Sequence, residues 1–124
     1  MAGNSWQQPV AGEPSAGTFH PKYALIMNNV DPADTNWHEV DISASVPVGT
    51  KAIFVTGQFT TTVATNYQMS NANGGSSYIV NVAATNGYGG VCGIVPVSST
   101  RTVWYKVGNA GVSGIYTYMS GYFI

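Results

Sequence analysis

Charge is what this sequence has least of. Ionic side chains make up 7 % of its 124 residues, against roughly 25 % in an ordinary soluble domain. The only cations are Lys22, Lys51, Arg101 and Lys106, and the net charge is −1; this excludes the basic stripe that a nucleic-acid surface requires. Cys92 is the single cysteine, so no intrachain disulfide can staple the fold. No apolar run approaches the roughly 18–20 residues of a membrane-spanning helix. The opening residues MAGNSWQQPVAGEPSAG hold no apolar signal region, so the expectation is synthesis and assembly in a cytoplasm. Helical periodicity over three turns is missing as well.

What is present is apolar enough to fold. The hydrophobic fraction, 44 %, is ordinary, and Gly, Ser, Thr and Asn stand where charge would be. The β-branched and aromatic material available for burial argues against a disordered chain. A sparse-charge exterior is either wet and neutral or covered by other subunits, where charge is depleted. The second reading is preferred. The length leaves room for one domain and a short arm.

The last thirteen residues, Val112 to Ile124, alternate as a strand, with Tyr116, Tyr118 and Tyr122 on one side and Ile115, Met119 and Phe123 on the other. An aromatic chain end implies a final strand that is paired and covered, since termini fray unless tied into a sheet. Residues 1–21, with Pro9, Pro14 and Pro21, cannot make a helix or central strand. A disordered leader is one reading; the other, preferred, is an extended arm anchored by Trp6 and Phe19, ahead of a domain over residues 22–124.

Strands then follow at regular spacing. Tyr23, Leu25 and Met27 share one side of the first, which ends at Asn28-Asn29. In Trp37 to Ser43, His38, Val40 and Ile42 share a face opposite Trp37, Glu39 and Asp41. Ala52 to Val55 is apolar throughout, as in a strand covered on both sides, and Gly57 breaks it. NANGG and TNGYGG read as glycine-rich turns, and Pro96 pushes its strand to an edge or a bulge. About eight short strands with turn signals between them predict an all-β chain, an antiparallel, jelly-roll-like β-sandwich.

Candidate chemistry is thin. Cys92 with His38 as base is weighed against a cysteine acting as a small hydrophobe, and the latter is preferred. His20 and His38 lack zinc spacing. Asp31, Asp34, Glu39 and Asp41 cluster in the sequence and match no calcium loop; a solvated loop is the expectation, with an ionic partner or a cation as alternatives. No catalytic, metal or cofactor site is assigned. Tyr116, Tyr118 and Tyr122 are assigned with Trp6 and Phe19 to an interface, where aromatic rings are enriched. Tyr88, at the tip of a glycine loop, and Trp37 are candidate stacking platforms for glycans.

The stretches VPVGTKAIFVTGQF and YMSGYFI, within residues 45–59 and 112–124, resemble the small β-sandwich domains of bacteriophage tail fibres and capsid decoration proteins. The resemblance implies a non-enzymatic, homo-oligomeric and often trimeric protein of a virion surface, assembled in the host cytoplasm. It would contact copies of itself and other virion proteins such as the major capsid protein. A lectin-like module reading host surface glycans is the alternative.

Overall fold

The computed structural model describes residues 17–75 and 87–124, together with the backbone of 79–82. Among these residues eight strands form: β1 (Phe19–Val30), β2 (His38–Asp41), β3 (Ala52–Thr61), β4 (Asn66–Ser70), β5 (Ile79–Val82), β6 (Gly87–Pro96), β7 (Thr102–Val107) and β8 (Val112–Phe123). All pairings are antiparallel. The strands make two four-stranded sheets, β1-β8-β3-β6 and β2-β7-β4-β5. Consecutive strands thus change sheet at every connection except β4 to β5, which is the strand order of a jelly roll.

The core lies between the sheets. Ile53, Val55 and Phe59 of β3 and Ile115 and Met119 of β8 face Tyr67 and Met69 of β4 and Val103, Tyr105 and Val107 of β7, all buried. Burying each such side chain contributes about 1.5–3 kcal/mol. Tyr67 ties the layers together. Its hydroxyl donates to Met27 Sδ at 3.2 Å and lies 3.1 Å from Thr117 Oγ1. Its ring stacks on Phe59 and Tyr105, with centroids 5.7 and 6.1 Å away.

β8 is central, between β1 and β3, and its final residue is held on a partner. Thr18 N–H donates to Ile124 O at 2.7 Å, and Ile124 N–H donates to Thr18 O at 3.1 Å. The expected alternation holds only from Ile115 to Met119, since a register shift between Gln58 and Thr60 of β3 leaves both Val112 and Ile115 buried. Phe54 pairs with Gly121 and Val55 with Met119, so Ser120 is an extra residue. A bulge of this kind exchanges the two faces of everything beyond it. Tyr122 therefore turns inward opposite Ile53 and packs on the core, while Phe123 turns outward against Phe19. Tyr122 does not share a face with Tyr116 and Tyr118.

β1 departs from its simple alternation for the same reason. Register shifts fall between Pro21 and Ala24, Leu25 and Met27, and Met27 and Val30. Tyr23 and Leu25 are exposed, whereas Met27 is buried. The strand starts at Phe19 and continues past Asn28-Asn29, where Asn29 takes a positive φ of 52°. Phe19, His20 and Pro21 thus belong to the sandwich and not to an arm, and Trp6 lies outside the described residues.

β3 runs through Gly57 to Thr61 without a break, since Gly57 is where the backbone of β8 comes closest: a Cβ there would stand 2.5 Å from Tyr116 O. Its outward residues Phe54 and Thr56 are half-buried, so one face is core and the other is not sealed. β6 is an edge strand carrying Pro96, as expected, and β2 keeps its expected alternation with Ile42 in the core. The turn over Pro47 and Gly49 closes by Thr50 N–H and Oγ1 donating to Pro47 O.

Candidate interaction surface

The two outer faces of the sandwich differ in chemistry. On the β2-β7-β4-β5 sheet, Glu39, Trp104, Lys106 and Gln68 alternate outward from the buried Val103, Tyr105, Val107, Tyr67 and Met69. The Lys106 ammonium lies 5.9 Å from the centre of the Trp37 ring, a cation–π contact. This face mixes both signs of charge.

On the other face, β3, β6 and β8 carry no charged side chain among the described residues. In register across β6, β3, β8 and β1 it presents a row of Cys92, Thr56, Tyr118 and Leu25 and a row of Gly90, Gln58 and Tyr116. Beyond them, Tyr88 pairs with Thr60 and Ile94 with Phe54. Tyr23 stacks on Tyr118 at 5.6 Å. The Phe19 ring lies over Gly121, in the space a side chain there would need, and tilts against Phe123 at 5.1 Å. Tyr23 and Tyr88 are 72 % and 77 % exposed, and Phe19, Leu25 and Ile94 are exposed as well. Among the described residues β3, β6 and β8 contribute no Asp, Glu, Lys or Arg to this surface, and the sheet's one such side chain is Lys22, exposed beside Tyr23 on the edge strand β1. Strand alternation alone sends these residues outward, because each neighbours a core residue in sequence.

Of the residues singled out from the sequence, this face gathers Phe19, Tyr116, Tyr118 and Tyr88. It excludes Tyr122, whose ring stacks on His20 at 5.1 Å and packs on the core. Tyr88 stands within β6, not at a loop tip, since Gly87–Gly90 pair with Gln58–Thr61 of β3. Trp37 sits beside the opposite sheet, so the two glycan candidates do not form one platform. Tyr23, Leu25, Phe54 and Ile94 were not anticipated as surface residues; the alternation Phe54-Thr56-Gln58 opposite Ile53-Val55 was the available signal.

The chemical candidates are dispersed. Cys92 is exposed on the aromatic face, whereas His38 stacks on Tyr105 of the other sheet at 5.2 Å, with Nε2 2.7 Å from Asp34 Oδ1. No Cys–His pair results. The four clustered acids separate into different tasks. Asp31 accepts from Gly114 N–H, Asp34 from Asn36 N–H, and Asp41 from Ser43 N–H, while Glu39 pairs across from Trp104. Among the described residues no group of three His, Cys, Asp or Glu side chains converges. The backbone N–H of Asn36, then His38, holds Asp34 below the usual carboxylate value, and the backbone N–H of Ser43 does the same for Asp41. Burial pushes the Tyr67 and Tyr105 phenols up.

An open groove of about 590 Å³ at one end of the sandwich is lined by Val48, Thr50, Lys51, Pro96 and Arg101 among others. The Arg101 guanidinium is used structurally: it donates from Nη1 to Ser43 O and Val46 O, both at 3.1 Å. Ser98, which also lines the groove, is engaged with Thr100 and Thr102.

No known protein family matches this chain, and no curated protein sequence matches it either. The surface chemistry therefore carries the functional argument.

Proposed function

We propose that this chain is a non-enzymatic structural subunit of a bacteriophage virion surface, a capsid decoration or spike subunit that works through contacts with its own copies and with the shell. The observation that carries the reading is the aromatic outer face of the β1-β8-β3-β6 sheet, whose strands β3, β6 and β8 hold no charged side chain, on a chain already poor in charge. Depletion of charge with enrichment of Tyr and Phe is the composition of an interface core. The jelly-roll order supports it by fold-level analogy only, since viral capsid domains and lectins share that architecture. Copies of the chain and the major capsid protein are the partners on this reading. Assembly takes place in the host cytoplasm.

The work done is mechanical. A standard interface of about 800 Å² per partner at roughly 25 cal/mol per Å² of apolar area holds a subunit in place without any reaction. The test is co-sedimentation of the purified chain with particles, followed by electron microscopy. Bound subunits at regular surface positions are expected. A chain that stays in the supernatant with intact particles ends the proposal. A truncation beginning at Gly17 leaves every described strand intact, and loss of particle binding in it would assign the tether to residues 1–16.

Tyr88 favours a second reading, recognition of a host glycan, because a ring 77 % exposed beside Gly90 is open for stacking on a sugar. Saturable binding on a glycan array that disappears in Tyr88→Ala would place this reading first.

A further inference from the structure

We propose that the outer face of the β1-β8-β3-β6 sheet is a symmetric docking surface for a second copy of this chain. This names the surface through which the copies in the proposed function associate, and it rests on that reading.

Three observations select the occupant. The first is area. The exposed parts of Phe19, Tyr23, Leu25, Tyr88 and Ile94 amount to roughly 500–600 Å², taking about 200 Å² for a fully exposed large side chain. Half-buried Phe54, Tyr116, Tyr118 and Phe123, with exposed Gln58 and Cys92, bring the face to the scale of the roughly 800 Å² per partner in a standard interface. The second is charge. On β3, β6 and β8 a nucleic acid, an anionic sugar or a charged headgroup finds no ionic partner, whereas another neutral aromatic face leaves no buried charge unpaired there. The third is shape. The strands are long and paired across the whole face, which suits sheet-on-sheet packing at about 10 Å. Two copies related by a two-fold axis use the same patch on both, the commonest closed arrangement.

Cys92 gives the surface a reporter, since it is the only thiol and sits in the middle rows. In the dimer it is covered. The experiment combines sedimentation of the full chain with alkylation of Cys92 by iodoacetamide, at concentrations up to about 100 μM, above the micromolar range where standard interfaces begin to hold. The wild-type chain should sediment at twice the monomer mass, with alkylation slowing as concentration rises. Tyr23→Lys/Ile94→Lys puts a cation at each side of the face on exposed positions. It should halve the sedimenting mass and make alkylation independent of concentration, with circular dichroism unchanged. Tyr88→Lys, at a third position, should do the same should the double variant fold poorly. Glu39→Lys, on the opposite sheet, should leave the mass as it is. A wild-type chain that stays monomeric with fully reactive Cys92 overturns the proposal. Association that survives the lysine substitutions overturns this surface too, while leaving the oligomeric reading standing through another one.

Discussion

Tyr67 is where the two layers of the sandwich are joined by something other than apolar contact. Its hydroxyl is the polar tip of a fully buried ring, and Thr117 and Met27 from the other sheet satisfy it. Tyr67→Phe removes that link and strands the Thr117 hydroxyl, at a cost of about 1 kcal/mol at neutral pH, measurable by urea unfolding. The sign of its pH dependence follows from burial. The phenol is raised above its ordinary 10.0 in the folded chain, so its contribution is complete below pH 10 and is lost as pH climbs from there. Wild-type stability should fall above pH 10, and Tyr67→Phe should fall less steeply. Asp41 works in the other direction. Held below its ordinary 3.8, it stabilises fully above that value and progressively less as acid protonates it. Asp41→Asn should therefore differ from wild type at neutral pH and converge with it in acid. Two glycines make a further contrast. Gly57→Ala meets backbone, Tyr116 O, at 2.5 Å, and overpacking of that kind costs about 1–3 kcal/mol. Gly90→Ala finds nothing nearer than 3.8 Å, so its thermal melt should stay near wild type.

At the scale of the element, the extra residue Ser120 decides what β8 does. Without it Tyr122 would join Tyr116 and Tyr118 on the exterior; with it the ring packs inside against Ile53. Tyr122→Ala should cost on the order of 2–3 kcal/mol through the cavity it leaves. Tyr118→Ala, outward and half-buried, should cost less in thermal stability and act on association instead. Sedimentation and melting of the same pair separate the two effects. The strand edges differ in a related way. β1 carries three register shifts and Pro21 on its exposed side of the sheet, devices that discourage stray pairing. β6 pairs with β3 over ten residues without a shift and has Pro96 only at its end, so it is the less guarded edge.

For the molecule as a whole, the strand order means that neighbours in space come from far apart in sequence: β1 and β8, at the two ends of the described chain, lie side by side. Loop closure then precedes most of the contacts that reward it. Refolding should occupy milliseconds to seconds, as in other sheet proteins dominated by distant pairings, and stopped-flow tyrosine and tryptophan fluorescence reads it directly. The uneven distribution of charge is also a whole-molecule property. Charge confined largely to one sheet and the loops leaves the other sheet suited to contact with a neutral partner.

The sequence by itself determined that the chain is an antiparallel sandwich. Period-two alternation in Trp37–Ser43, Asn66–Ser70 and Ile115–Met119 and the turn at Pro47-Gly49 are local signals, written in adjacent residues. Pro96 marked an edge for an equally local reason, its missing N–H. Only the tertiary structure decided which sheet each strand joins, that Gly57 continues β3, that Gly87–Gly90 form strand and not loop, and that Tyr122 and Phe123 exchange sides. A bulge is defined by the strand opposite it, and that partner is tens of residues away. The same holds for the aromatic face: its rows run across β6, β3, β8 and β1, so no single stretch of sequence contains it.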